Sequence, residues 1–224
     1  MRLQENRILP YGQLIGNLYR AARIYKQYVN KQVLIVYGKS KNGMFFSYEF
    51  YAGEENFQHL AGIKSPSGAE DFWNKCVGKD GRKLQKEDIC PVENLKLTSS
   101  KIEVLPQALD LMHSKIYKIG EKDLETMYNK FSMGIGNTRS VMGLDERDKN
   151  LPIPVTVMNR SINDFCSDLY NIYFVMIKDI GEEKYSDMLY EATKNILSKM
   201  ELPSTISIKV LPYADEKLTD SSVG

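Results

Sequence analysis

A chain of 224 residues carrying 30 Lys and Arg against 29 Asp and Glu has a net charge of +1. That excludes bulk basicity as a means of holding nucleic acid, though not a local groove where cations gather. With 42% apolar and 26% charged residues it reads as a globular chain, long enough to bury a sizeable core without disulfide or metal support.

Cys76, Cys90 and Cys166 show no CxxC spacing and have only two histidines to join them. A disulfide framework and a structural zinc site are therefore not expected, and the compartment reads as reducing and cytoplasmic. The opening MRLQENRILPYGQL lacks the apolar run of a leader. Apolar runs such as VLIVY are too short to span a bilayer, so no membrane role is expected.

In chain order, Leu14, Leu18, Ala21 or Ala22, Tyr25 and Val29 recur at helical spacing and predict a helix over Gln13–Asn30. Arg20, Arg23, Lys26 and Lys31 lie mostly off that stripe, as a solvated cationic face or a phosphate-contacting one. QVLIVYG is a buried strand, and MFFSYEFYAG alternates as a second. Asn42-Gly43 between them predicts an antiparallel hairpin. NFQHLAGI follows, which sets His59 just past a strand end, near a sheet rim.

SPSGAEDFWNKCVG predicts a short helix, with Ser67 and Glu70 at capping-box spacing. LTSSKIEVLPQALDLMHSK predicts another, with Ser100 and Glu103 as a second such pair and Pro106 marking a kink or a later start. KIYKIGEKD, YNKFSMGIGNTRSVMGLDE, IPVTVMNRSI and NIYFVMIKDI supply short strands, the second of these segments folding about a Gly/Asn-rich turn. EEKYSDMLYEATKNILSKM reads as a helix, STISIKVLPY as strand-like, and ADEKLTDSSVG as a frayed tail. No repeat or linker divides the chain, so a single domain over 1–224 is expected. Its class is α+β, with N-terminal helices packed on a largely antiparallel sheet.

Candidate chemistry centres on His59. A histidine among Phe57, Leu60, Ala61 and Ile63 is either a satisfied core residue or an acid–base group, since an imidazole exchanges its proton near neutrality. His113 would sit near a helix C-terminus, where a cationic ring is favoured, although a two-histidine acid–base pair is also permitted. GIGNTRS lacks the GxxxxGK[ST] pattern and reads first as a hairpin turn. It still sets Thr138, Arg139 and Ser140 together, and an arginine can clamp a phosphate bidentately. Lys101, near a helix start, is a surface residue or a phosphate partner. No DxD, HExxH, EF-hand or GxSxG pattern occurs, so neither metal nor cofactor is expected. Tyr48, Tyr51, Tyr185 and Tyr190 are candidates for stacking bases, against the ordinary role of packing with a polar tip.

The order FQHLAGI, FWNKCVGKDGRKLQKEDI, KIEVLPQAL, GNTRSVMGL, PIPVTVM and YFVMIKDIGEEKYSDMLYEA resembles a family. It is the phage and mobile-element branch of the Barnase–EndoU–colicin–RelE-like nuclease superfamily, of the type found in phage polyvalent proteins. The resemblance covers residues 10–195 and leaves 196–224 as an extension. It implies helices against an antiparallel sheet and a metal-independent endoribonuclease acting in the cytoplasm, the host's if the chain is phage-encoded. The ribose 2′-hydroxyl would attack, leaving a 2′,3′-cyclic phosphate on an RNA that could be tRNA. His59 matches the family histidine as base or acid. Lys101 and Arg139, with Thr138 or Ser140, match its charge-stabilising positions. Two other outcomes follow from the same resemblance: an inactive module that binds a host or defence protein, and a plain nucleic-acid-binding domain.

Overall fold

The computed structural model describes residues 8–39, 44–123, 131–146 and 151–194. Helix α1 spans Tyr11–Tyr25 and buries Leu14, Leu18, Ala21, Ala22 and Tyr25. It ends earlier than the spacing predicts, and the chain turns at Asn30 (φ 59°) into β1, Lys31–Lys39. Strand β1 pairs antiparallel with β2, Met44–Ala52. The Asn42-Gly43 turn expected between them lies outside the described residues.

After β2 come helix α2, Glu54–Ala61, helix α3, Ala69–Cys76, and helix α4, Leu95–Ala108. Short strands follow: β3 at Lys118–Glu121, β4 at Met133–Gly136, β5 at Val141–Asp145 and β6 at Ile153–Met158. Strand β7 spans Tyr170–Asp179 and β8 spans Asp187–Glu191.

All described pairings are antiparallel, in the order β2-β1-β7-β3-β4-β5-β6, with β8 also beside β7. The two outer strands meet: Tyr51 N–H donates to the Pro152 carbonyl at 2.8 Å. The sheet is thus curled nearly shut. Glycine lets it curl at Gly143, where a Cβ would stand 2.7 Å from the Phe131 ring.

Side chains alternate across β1. Val33 and Ile35 join the helices in the main core, whereas Leu34 and Val36 face a second cluster with Phe174, Met176 and Tyr185. A register shift opposite Val36/Tyr37 inserts an extra residue in β7, so Ile172 and Phe174 point to opposite faces. Under the helices Phe57, Trp73 and Tyr25 interlock with ring centroids 5.2–5.8 Å apart. The Tyr25 and Tyr28 hydroxyls are satisfied by the carbonyls of Gly53 (3.0 Å) and Leu109 (2.8 Å). Burial drives both phenols well above their usual range.

Several sequence expectations need correction. The segment 182–194 is not a helix in its described part. Met188 and Tyr190 pair with Met176 and Val175 as strand β8, because β3 covers only the first residues of β7 and leaves the rest of that edge open. Ser67 does not cap α3: Gly68 holds that position, and the Ser67 hydroxyl instead meets Ser65 at 3.0 Å. Ser100 lies inside α4, whose cap is Asn94, accepting from Leu97 N–H at 2.9 Å. Helix α4 passes Pro106 and ends two residues later, at Ala108. The readings of STISIKVLPY and of the final tail fall outside the described residues.

Candidate functional site

His59 stands just past the end of β2, as expected, and lies on a helix, α2, that the sequence reading did not predict. Acidic Glu54 and Glu55 complement the first turn of that helix, and Gly53 N–H donates to Asn56 Oδ1 at 2.9 Å. Phe57, Leu60 and Ala61 turn into the core and leave the imidazole exposed on the opposite side. The apolar neighbours are thus anchors for the helix, not walls around the ring.

Gly62 ends α2 in the left-handed region, φ 69°. Its N–H donates to the His59 carbonyl at 3.0 Å, and Ile63 N–H to Gln58 O at 3.1 Å. The Gly62 carbonyl in turn accepts from Thr98 Oγ1 at 2.9 Å and from Val92 N–H at 3.1 Å. These bonds tie the end of α2 to the start of α4. Across the junction lies the aliphatic stem of Lys101: a Cβ at Gly62 would come within 3.0 Å of Lys101 Cδ. Lys101 of α4 thus approaches the last turn of α2 at Gly62, three residues beyond His59. Among the described residues neither side chain has a hydrogen-bond or ion-pair partner.

Thr138 and Arg139 are exposed at the tip of the β4–β5 hairpin. Asn137 Oδ1 builds that tip, accepting from Arg139 N–H at 2.7 Å and Ser140 N–H at 3.1 Å. Ser140 is fully buried, and among the described residues its Oγ and Asn137 Nδ2 have no hydrogen-bond partner. Met158, which pairs with Val141, brings this tip to the end of β6. There Asn159 Nδ2 donates to Glu103 of α4 at 3.5 Å. The hairpin tip and α4 thus border the same end of β6, yet among the described residues no bond joins Arg139 to His59 or Lys101. His113 lies elsewhere, its Nδ1 2.7 Å from Asp110 Oδ2, so it forms no pair with His59.

The four tyrosines separate. Tyr48, midway along β2, lines a cleft, and burial pushes its phenol up to about 12. Tyr51 is half-buried, its hydroxyl donating to Asn30 Oδ1 at 3.2 Å. Tyr190 is half-buried on β8. Tyr185 corrects the stacking expectation: it is 2% exposed, its hydroxyl donates to Glu49 Oε2 at 2.8 Å, and its ring fills the second cluster. A base has no access to that face.

Sequence reasoning missed Gly62, Thr98 and Asn137. Gly62 had a signal, since a glycine just after an apolar helical run marks a left-handed cap. Asn137, three residues before Ser140 in a turn, had one as well. Thr98 had none. Among the described residues no group of three or more His, Cys, Asp or Glu could hold a metal ion, and no helix is long and apolar enough to cross a membrane.

Neither the curated proteins nor the solved structures contain a match to this chain. A family model does match it, over residues 17–194, most of its length. The matched span runs from within α1 to just past β8 and takes in His59, Lys101 and the Arg139 hairpin. The chain therefore belongs to the phage-Barnase-EndoU-ColicinE5/D-RelE like nuclease 4 family.

Proposed function

We propose that this nuclease-family chain is a metal-independent endoribonuclease whose centre is the α2–α4 junction. The observation that carries the reading is His59, exposed and without a partner among the described residues, on the helix turn that the stem of Lys101 approaches at Gly62. A histidine kept for packing would be buried with one nitrogen bonded to a carbonyl. This one is presented to solvent, on the turn of α2 that the Lys101 stem approaches.

His59 takes the proton of a ribose 2′-hydroxyl. The 2′-oxygen forms a bond to phosphorus, the phosphorus–5′-oxygen bond breaks, and the departing oxygen receives a proton from water or from the returned imidazolium. The products are a 2′,3′-cyclic phosphate and a 5′-hydroxyl. Lys101 offsets charge on the phosphorane. Arg139 and Thr138, on the neighbouring hairpin, hold the adjoining backbone phosphate, and Ser140 stays inside the turn as its support. Tyr51 and Tyr190 are the stacking candidates left on partly open surface. RNA, including tRNA, is the substrate class, and the cytoplasm is where it would be met.

The test is incubation of the purified chain with end-labelled tRNA and total RNA in EDTA, beside His59→Ala. Cleavage that yields cyclic-phosphate ends and is lost in the variant supports the reading. No cleavage of any RNA at micromolar protein overturns it. That result would favour an inactive module docking a host or defence protein. The exposed apolar side chains of Val92, Leu95 and Leu97, beside the junction, are the feature that suits such docking.

A further inference from the structure

The end of the curled sheet remote from α2 holds chemistry that cleavage of RNA does not use. Two clefts, of about 470 and 160 Å³, share Glu121 at this mouth. The larger is lined by Tyr48, Phe131, Met133 and Ser132 with Glu121, Lys122, Asp123 and Glu146. In the smaller, Tyr37, Phe46 and Tyr170 stand on three adjacent strands with ring centroids 5.6–5.7 Å apart, and Asp168 lies at the rim. Four carboxylates against Lys122 in the lining and Lys39 on Asp168 leave the mouth net acidic and unfavourable to a phosphate backbone. Glu121 and Glu146 are exposed and, among the described residues, enter no ion pair.

The aromatic rings here already hold ammonium groups. Lys39 Nζ lies 4.9 Å over the Tyr170 ring while 3.2 Å from Asp168 Oδ1. Lys122 Nζ lies 5.5 Å over Phe131. A carboxylate beside a ring face is an arrangement that attracts a cation from two directions, through charge and through the ring quadrupole. Phe131 and Met133 add an apolar wall for a hydrocarbon stem, and the larger cleft has the size of a small-ligand site.

We infer that this mouth is a second binding site, separate from the α2–α4 junction, for an organic cation: a primary ammonium on an aliphatic stem. Glu121 and Glu146 neutralise the ammonium, Tyr48 and Phe131 face it, and Met133 packs on the stem. Two sources carry that group, a free polyamine and a lysine side chain of another protein.

Calorimetric titration of the full chain with spermidine, and separately with an end-blocked trilysine peptide, distinguishes them. Binding of either probe, weakened tenfold or more in Glu121→Gln/Glu146→Gln, supports the site, and the tighter probe names the source. A second variant, Phe131→Leu, removes the ring and keeps an apolar wall, and should weaken the same probe about fivefold. Circular dichroism checks that both variants are folded. Absence of binding to both probes at millimolar concentration overturns the inference. So does binding that the double variant leaves unchanged, which would mark general attraction to an acidic surface. None of these outcomes depends on whether the chain cleaves RNA.

Discussion

At its Ala52 end, strand β2 runs into α2 and presents His59 with Lys101 across the junction, while Lys64, two residues beyond Gly62, is exposed. Towards its Met44 end, the same strand contributes Phe46 and Tyr48 to clefts rimmed by Glu121, Asp123, Glu146 and Asp168. Along β2 the six steps from Phe46 to Ala52 span ~20 Å and the four from Tyr48 to Ala52 ~13 Å. A net charge of +1 conceals this segregation. On the two proposals above, one end takes anions and the other cations, although Glu54 and Glu55 open α2 at the first and Lys39 and Lys122 stand at the second.

That contrast can be broken or sharpened by mutation. The largest stability effect belongs beneath the junction. Phe57→Ala should cost about 3–5 kcal/mol in denaturant unfolding, because the ring is fully buried against Tyr25, Phe72 and Trp73. His59→Ala should leave stability within about 0.5 kcal/mol and lower RNA cleavage roughly a hundredfold or more, measured in EDTA. If instead it unfolds the protein, the ring is structural and the two ends differ less than drawn.

Gly62→Ala should cost about 1–2 kcal/mol by thermal unfolding, since φ is positive and the new Cβ meets the Lys101 stem. It should also reduce cleavage by moving that stem. Asn137→Ala should cost about 1 kcal/mol by freeing two backbone N–H groups, with Asn137→Asp restoring the acceptor and most of the loss.

The smallest effect is chemical. At pH 7.5 (roughly neutral, well below the ordinary thiol range) an alkylating reagent should label half-buried Cys90 and spare the other two in the folded chain. Burial raises the Cys166 thiol to about 11 and the Cys76 thiol further still. Mass spectrometry of the labelled peptides checks this.

Much of the fold was readable because its signals are local. The run VLIVY needs two covered faces, and β1 has them. Glycine and asparagine between short β segments predicted the β4–β5 hairpin, which forms. What failed depended on neighbours. Met188, Leu189 and Ala192 look helical until one knows that β7 has an uncovered edge beside them. Ser67 and Ser100 have the spacing of caps, but Gly68 and Asn94 occupy those positions. In the site, His59 was legible as a residue but not as a helical one. The approach of Lys101 was not legible at all, since it arises from a left-handed glycine and a threonine bond on different helices.

The curled sheet has a seam. Its outer strands meet through the Tyr51–Pro152 hydrogen bond, and Pro152 and Pro154 have no N–H with which to extend the pairing. Such a joint resists recruitment of foreign strands, because little edge is left to template them. Helix α2 springs from β2 and packs on β6 across this joint, and α4 packs on β6 as well. The turn that carries His59 is therefore riveted across the seam, through β6 below and through the Gly62 bonds to Thr98 and Val92 beside it, so strain at the joint would be felt first at that turn.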